Sequence, residues 1–264
     1  MENMANRSDK VAAKWRASVA GQGWRNWPRL ALSGLDGGLR RLLPGRCAFC
    51  LAPGEAGQPW CQACFETLPW NLPACPRCGE PQPSGSLEGR LCGHCLAHPP
   101  SFDKTWAPLR YQDEVVSLMQ RFKFQASPRA GSVLMALLEA GLTDVPRPDA
   151  LIAVPLHPNR ARQRGFNQAE WLARRLAPRL GVPLRLARRL GDTPSQRGLD
   201  RSERRRNLKE GFEVPGPLPG RVALLDDVMT TGATLDALAR ACRRAGAEAV
   251  EAWAVARTPF SQLW

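Results

Sequence analysis

The stretch Val222 to Leu235, VALLDDVMTTGATL, limits the fold more than any other part of the chain. Val222, Ala223, Leu224 and Leu225 are a continuous apolar run, the signature of a parallel strand covered on both faces. Asp226 and Asp227 follow at once, which puts two adjacent carboxylates at the carboxyl end of that strand, where open α/β sheets hold their ligands. Thr230, Thr231, Gly232, Ala233 and Thr234 are small or hydroxylated, and such a turn lets N–H groups close around an anion at a helix N-terminus. Leu235, Leu238 and Cys242 then recur at helical spacing, and Gly246 stops the helix. The acids also have a plainer reading as helix caps, but two of them directly behind a buried strand are costly without a partner. A GxxxxGK[ST] pattern is absent, so this is not a Walker-type loop.

The formal net charge is +13, which points to a polyanionic or phosphorylated partner. The charge is concentrated: residues 160–210 hold fourteen arginines and one lysine against five acids. No run of about 18 apolar residues exists, so no transmembrane helix is expected. The N-terminus lacks an uninterrupted apolar segment before a small-residue cleavage site, so a cytoplasmic location is expected. In that compartment cysteines in CxxC pairs read as metal ligands rather than disulfides.

Eight of the nine cysteines form such pairs: Cys47 with Cys50, Cys61 with Cys64, Cys75 with Cys78, and Cys92 with Cys95. Two CxxC turns complete one tetrahedral shell, so eight ligands give two structural zinc sites and leave no open catalytic position. The simplest assignment joins consecutive turns, Cys47, Cys50, Cys61 and Cys64 in one site and Cys75, Cys78, Cys92 and Cys95 in the other. An interleaved cross-brace fits the spacing equally. The segment is short and polar, so metal rather than a core should supply much of its folding free energy. Three regions follow: a basic tail over residues 1–46, a double zinc ribbon over 47–98, and an α/β domain over 99–264. In the tail, Leu35 to Leu43 has the pattern of one short amphipathic turn or helix; the tail reads as solvated and partly disordered, and its sharper reading is an arm for a membrane surface or nucleic acid.

Within the third region, Phe102 to Tyr111 reads as an extended strand, and Glu114 to Phe124 as a helix with Val115, Leu118, Met119 and Phe122 on one face. Arg121, Lys123 and Phe124 form a basic-aromatic element at its end, which fits a phosphate or nucleic-acid contact and a helix end docked on the core equally. Ser132 to Ala140 is a second helix. Asp149 to Pro155 is a second buried strand, followed by VPLHPNRARQRGFNQ and a helix from about Asn167 to Leu180. Val182 to Arg188 reads as a third strand, Arg189 to Asn207 as a polar loop with the character of a lid, Phe212 to Val214 as extended, and Ala249 to Ala256 as a last buried strand. Arg174, Arg175 and Arg179 fit either a nucleic-acid contact or a plain solvated helix face.

The stretch from Val222 to Thr234 resembles the phosphoribosyl pyrophosphate (PRPP) loop of type I phosphoribosyltransferases. The resemblance implies that Asp226 and Asp227 accept hydrogen bonds from the ribose hydroxyls and that the turn from Val228 through Thr230, Thr231, Gly232, Ala233 and Thr234 wraps the 5′-phosphate. It also implies that Pro155, Leu156 and His157 form the pyrophosphate loop, with Arg162, Arg164 and Arg204 neutralising the leaving group and Mg²⁺ accompanying the diphosphate. Taken with the paired CxxC turns after LLPGRC, the T-x-x-Q-x-x-L pattern of Thr193, Gln196 and Leu199, and AVARTP, the order of motifs is similar to that of the ComF family. That resemblance spans about Leu42 to Pro259. It implies a phosphoribosyltransferase-like parallel sheet with helices on both faces, a preceding double zinc ribbon, and association with natural transformation or use of external DNA. The reading as an enzyme makes Asp226 and Asp227 catalytic, with an acceptor that the motifs do not name. The other reading is a single-stranded-DNA-binding factor that keeps a PRPP-like pocket without transfer, with Phe166 and Trp171 stacking on bases and the DNA-uptake machinery at the inner membrane as partner.

Overall fold

The computed structural model describes residues 45–54, 58–87, 89–142, 145–156, 164–190 and 211–262. Its centre is a pair of long parallel strands, β7 (Arg221–Met229) and β8 (Ala249–Arg257), in register from Arg221 opposite Ala249 to Met229 opposite Arg257. Around them lie β1 (Lys104–Trp106), β2 (Leu109–Arg110), β3 (Ala150–Ala153) and β4 (Leu184–Arg185). The order is β1-β8-β7-β3-β4, with β2 also on β8, and every pairing is parallel. A separate antiparallel pair joins β5 (Arg188–Arg189) to β6 (Phe212–Glu213).

Side-chain alternation along β7 sorts two cores. Val222 and Leu224 pack with Leu235, Leu238 and Cys242 of α6 (Ala233–Arg244). Ala223 and Leu225 pack on the other face with α3 (Asp113–Phe124), α4 (Pro128–Gly141) and α5 (Gln168–Leu180). Helices therefore cover both faces, which is why the strand reads as an unbroken apolar run. Each of these helices follows from its sequence. In α3, Val115, Leu118, Met119 and Phe122 are buried, acids occupy the first turn, and Arg121 and Lys123 the last, as the helix dipole favours. Helix α4 starts at Pro128 behind Ser127, whose hydroxyl accepts the Ala130 N–H at 3.3 Å. Asn167 caps α5 by accepting the Glu170 N–H, and Gly181 ends it in the left-handed conformation.

Three strand expectations are corrected. The strand carrying Asp226 and Asp227 does not end at Leu225 but runs to Met229, because β8 remains beside it throughout. On its other side β3 stops where Ala153 meets Leu225, so the acids lie beyond the end of one neighbour and within reach of the other. Phe102 to Tyr111 is two short strands divided at Ala107 and Pro108, and the segment from Val182 to Arg188 is divided between β4 and β5.

The cysteine-rich segment carries two short helices, α1 (Gln62–Thr67) and α2 (Gly93–Ala97). It buries more than its polarity implies. Trp60 stacks on Phe65 at 5.0 Å and Trp70 meets Phe65 edge-on at 4.9 Å, and Cys47, Trp60, Phe65 and Leu68 are continuous with the core under α3 and α4. A backbone seam closes the join: Asn71 N–H donates to Pro108 and Arg110 N–H to Pro69, each at 2.8 Å.

Candidate functional site

A cavity of about 260 Å³ opens where β3 stops and β7 continues. Asp226 and Asp227 line it from β7, and Val154, Pro155 and Leu156 from the chain leaving β3. Two helix N-termini open into it: Asn167, Gln168 and Ala169 of α5, and Gly232, Ala233, Thr234 and Leu235 of α6. Each carries first-turn N–H groups that have no carbonyl partner within the helix, and the positive end of a helix dipole. Gly232 has φ +79°, a left-handed conformation that favours glycine at this turn. Lys123, Arg164 and Arg189 add three cations to the wall. The walls are thus cationic and rich in N–H donors, with two carboxylates set on one side.

Those carboxylates differ in their surroundings. Asp227 is 8% exposed; its Oδ2 meets the Lys123 ammonium at 3.0 Å and its Oδ1 accepts the Val228 N–H at 2.6 Å. Asp226 accepts the Asp227 N–H at 2.8 Å. Burial, reinforced by the neighbouring Asp227 charge, pushes the Asp226 carboxyl up to about 7, against a smaller opposing pull from Lys123. Tyr111, also on the wall, is raised by burial and by Asp227. The arrangement can accept hydrogen bonds from adjacent hydroxyls at the acids and hold phosphate oxygens at the two helix ends.

Of the residues expected at this site, Asp226, Asp227, Val228, Thr230, Gly232, Ala233, Thr234, Pro155, Leu156 and Arg164 all line the one cavity. Thr231 does not line it; its hydroxyl accepts the Ala233 N–H at 3.3 Å and so shapes the turn. His157, Arg162 and Arg204 lie outside the described residues, as do the tail before residue 45 and most of the expected lid. Sequence reasoning did not assign Tyr111, Lys123, Asn167, Gln168 or Arg189 to the site. Lys123 carried a signal, since a cation directly after the last core residue of a helix, Phe122, points past the core edge. Asn167 carried another: it caps α5 and also donates to the Val154 carbonyl at 3.0 Å, tying the helix start to the end of β3.

The rings expected to stack on bases are otherwise engaged. Phe166 and Trp171, both half-buried, pack edge-on against Phe122 at the margin of the core, at 5.4 and 5.1 Å. Arg174 pairs with Glu170, Arg179 with Glu139, and Arg175 lies over the Trp171 ring at 3.5 Å, so each of these arginines has a partner within the chain. The exposed aromatic among the described residues is Phe124, 71% exposed, with the Arg164 guanidinium 5.4 Å above its ring.

The cysteines gather as two groups, Cys47, Cys50, Cys61 and Cys64, and Cys75, Cys78, Cys92 and Cys95, with the sulfurs of each group within 4.8 Å of one another. This is the consecutive pairing, not the cross-brace. Cys50 and Cys61 sulfurs are 3.7 Å apart and those of Cys78 and Cys92 3.5 Å. Tetrahedral zinc with bonds of about 2.3 Å sets its sulfurs roughly 3.8 Å apart, so both groups fit the ion, and neither distance fits a disulfide.

Residues 38–96 match the family model described as the double zinc ribbon domain. The chain is 35% identical over 209 residues to competence protein F of Haemophilus influenzae, covering 75% of this chain and 90% of that one. It is 34% identical over 227 residues to the DNA utilization protein YhgH of Salmonella typhi, covering 82% of this chain and 98% of that one. Among solved structures, orotate phosphoribosyltransferase from Aeropyrum pernix aligns over 50% of this chain and 61% of its own, at 26% identity and a TM-score of 0.34.

Proposed function

The chain belongs to the ComF family, and from that premise we propose that its cavity binds PRPP and that the protein serves the uptake or use of external DNA. One observation carries the ligand assignment: two helix N-termini and three cations face two adjacent carboxylates across a single cavity. A molecule with phosphate at both ends and vicinal hydroxyls between them matches that charge pattern. In this reading Thr230, Thr234 and the α6 N-terminus hold the 5′-phosphate, Asp226 and Asp227 hold the ribose hydroxyls, and the diphosphate lies toward the α5 N-terminus, Arg164 and Arg189. Magnesium bound with the diphosphate would offset its charge and aid its departure. The protein's own part is to hold the ribose while positive charge grows at C1′ and to receive the leaving charge on fixed donors.

The binding experiment is a thermal-shift and calorimetric titration with PRPP and Mg²⁺. Ligand at 100 times its Kd should add about 2.7 kcal/mol of stability, and Asp226→Asn should lose that ligand-dependent gain. No shift at millimolar PRPP would remove the assignment. Pyrophosphate release with a nucleobase present identifies transfer; binding without release identifies a ligand-gated protein. Phe124, exposed beside Arg121, Lys123 and Arg164, favours a second role in which single-stranded DNA meets the cavity mouth. Salt-dependent oligonucleotide binding weakened by Phe124→Ala, and not by Asp226→Asn, would establish it.

A further inference from the structure

The AVARTP segment ends β8 in a residue that the proposed chemistry leaves unused. Arg257 is 0% exposed, yet its guanidinium reaches three separate parts of the chain. Its Nε donates to the Cys78 carbonyl at 3.0 Å. Its Nη1 donates to the Met229 carbonyl at 3.3 Å, and also to the carbonyls of Thr230 and Thr258. Its Nη2 meets the Glu80 carboxylate at 3.0 Å, and the other Glu80 oxygen accepts the Phe260 N–H at 2.9 Å. Met229 and Thr230 are the residues from which the anion-binding turn springs, and Cys78 is in the second cysteine group.

The knuckle end of this bridge is held just as closely. Four consecutive carbonyls from Pro76 to Gly79 each accept a bond. Pro76 takes the Thr105 N–H at 3.0 Å and Arg77 the Thr105 hydroxyl at 2.7 Å. Cys78 takes Arg257, and Gly79 takes the Asn71 amide at 2.8 Å. Gly79 has φ +68°, and a Cβ there would stand 2.8 Å from the Thr105 Cγ2, so the knuckle seats against β1 without clearance. A planar guanidinium can satisfy several carbonyls at fixed angles at once, which an ammonium cannot. Metal held by the Cys78 sulfur would fix the Cys78 carbonyl, and the Arg257 fork joins that carbonyl to the turn.

We propose that Arg257 is a positioning residue that ties the Met229–Thr230 backbone to the second zinc knuckle, so that zinc occupancy at Cys75, Cys78, Cys92 and Cys95 and the order of the anion-binding turn are coupled. The coupling is reciprocal, since whatever orders one end stabilises the other. It needs no particular ligand, so it stands or falls apart from PRPP.

The test is hydrogen exchange on the full-length, zinc-loaded chain without ligand, read on peptides covering Met229 to Leu235. Cys92→Ser removes one ligand of the second site and keeps every hydrogen-bond and ion-pair partner of Arg257; Cys50→Ser removes one ligand of the first. Exchange in the turn should rise about tenfold in Cys92→Ser and in Arg257→Lys, which keeps the charge but not the fork, and should stay at the wild-type level in Cys50→Ser. Wild-type exchange in either of the first two, or an equal rise in all three, overturns the proposal. The reciprocal measurement does not depend on Cys92→Ser folding: in Arg257→Lys one of the two zinc ions should pass to a chelator about ten times faster than in the wild type. Two unchanged release rates would sink the idea. Failure of PRPP to bind any of these proteins would count against the ligand assignment alone.

Discussion

At the scale of single residues, the site is built on an asymmetry between two neighbours. Asp227 has a cation and a backbone donor, whereas Asp226 has one backbone donor and the charge of Asp227 beside it. The folded protein therefore binds a proton at Asp226 over a range in which the unfolded chain has released it, from its ordinary value of 3.8 up to about 7. Where the native state holds more protons, stability falls as pH rises, so this group costs most above pH 7 and least below pH 4. Asp226→Asn removes that cost. The variant should be more stable than the wild type by about 1–2 kcal/mol at pH 8 and equal to it near pH 4, a discount on the ~4 kcal/mol a fully buried carboxyl would give. Urea midpoints against pH measure this; parallel pH profiles would refute it. Lys123 gives the complementary case. Lys123→Met leaves Asp227 charged and unpaired, at a cost of about 1–3 kcal/mol given the open cavity, and adding Asp227→Asn should recover most of the loss. The acids were legible in sequence because they stand together behind an apolar run. Lys123 was legible as a cation at a helix end, but its pairing with Asp227 was not, because only the packing of α3 on the sheet brings the two together.

At the scale of elements, the cavity exists because β7 has neighbours of unequal length. A continuous apolar run marked a strand at Val222 to Leu225, and those residues are fully buried. Polarity then hid its continuation, since Asp226 and Asp227 read as a strand end, whereas pairing with β8 carries the backbone to Met229. The amphipathic helices were legible to within a few residues, because apolar residues at three- and four-residue spacing fix which face is inside. The split of Val182 to Arg188 into β4 and β5 was not, because it depends on which partner each half meets: β3 for one, β6 for the other. Asn167 joins these levels. It caps α5 and ties that helix to Val154 at the cavity floor, so Asn167→Ala should cost about 1–2 kcal/mol and lower Tm by roughly 2–8 °C. It should also weaken anion binding, since it frees the N-terminus that faces the cavity. Asn167→Asp, which keeps the capping oxygen, should restore the stability more fully than the binding. Calorimetry and phosphate titration of the two variants separate these effects.

At the scale of the whole molecule, the question is whether metal stabilises only the ribbon. Composition argues that it does, since the cysteine-rich segment looks too polar to own a core. Packing argues otherwise. Trp60, Phe65 and Leu68, set by the first cysteine group, are continuous with Leu109, Val115 and Leu118, while the second group reaches β1 and β8 through the carbonyls of Pro76, Arg77 and Cys78. Exposing Trp60 and Phe65 alone forfeits about 1.5–3 kcal/mol each, and for a chain of this size each kcal/mol is worth roughly 2–4 °C. The chain should therefore bind two zinc ions and melt in one cooperative transition, and a strong chelator should lower that transition by on the order of 10 °C. Scanning calorimetry with and without chelator, beside metal analysis, decides it. An α/β transition at an unchanged temperature after both ions are gone would mean that the ribbon folds as an appendage. In that case the seam from Pro69 to Arg110 and the Arg257 bridge would transmit nothing to the sheet.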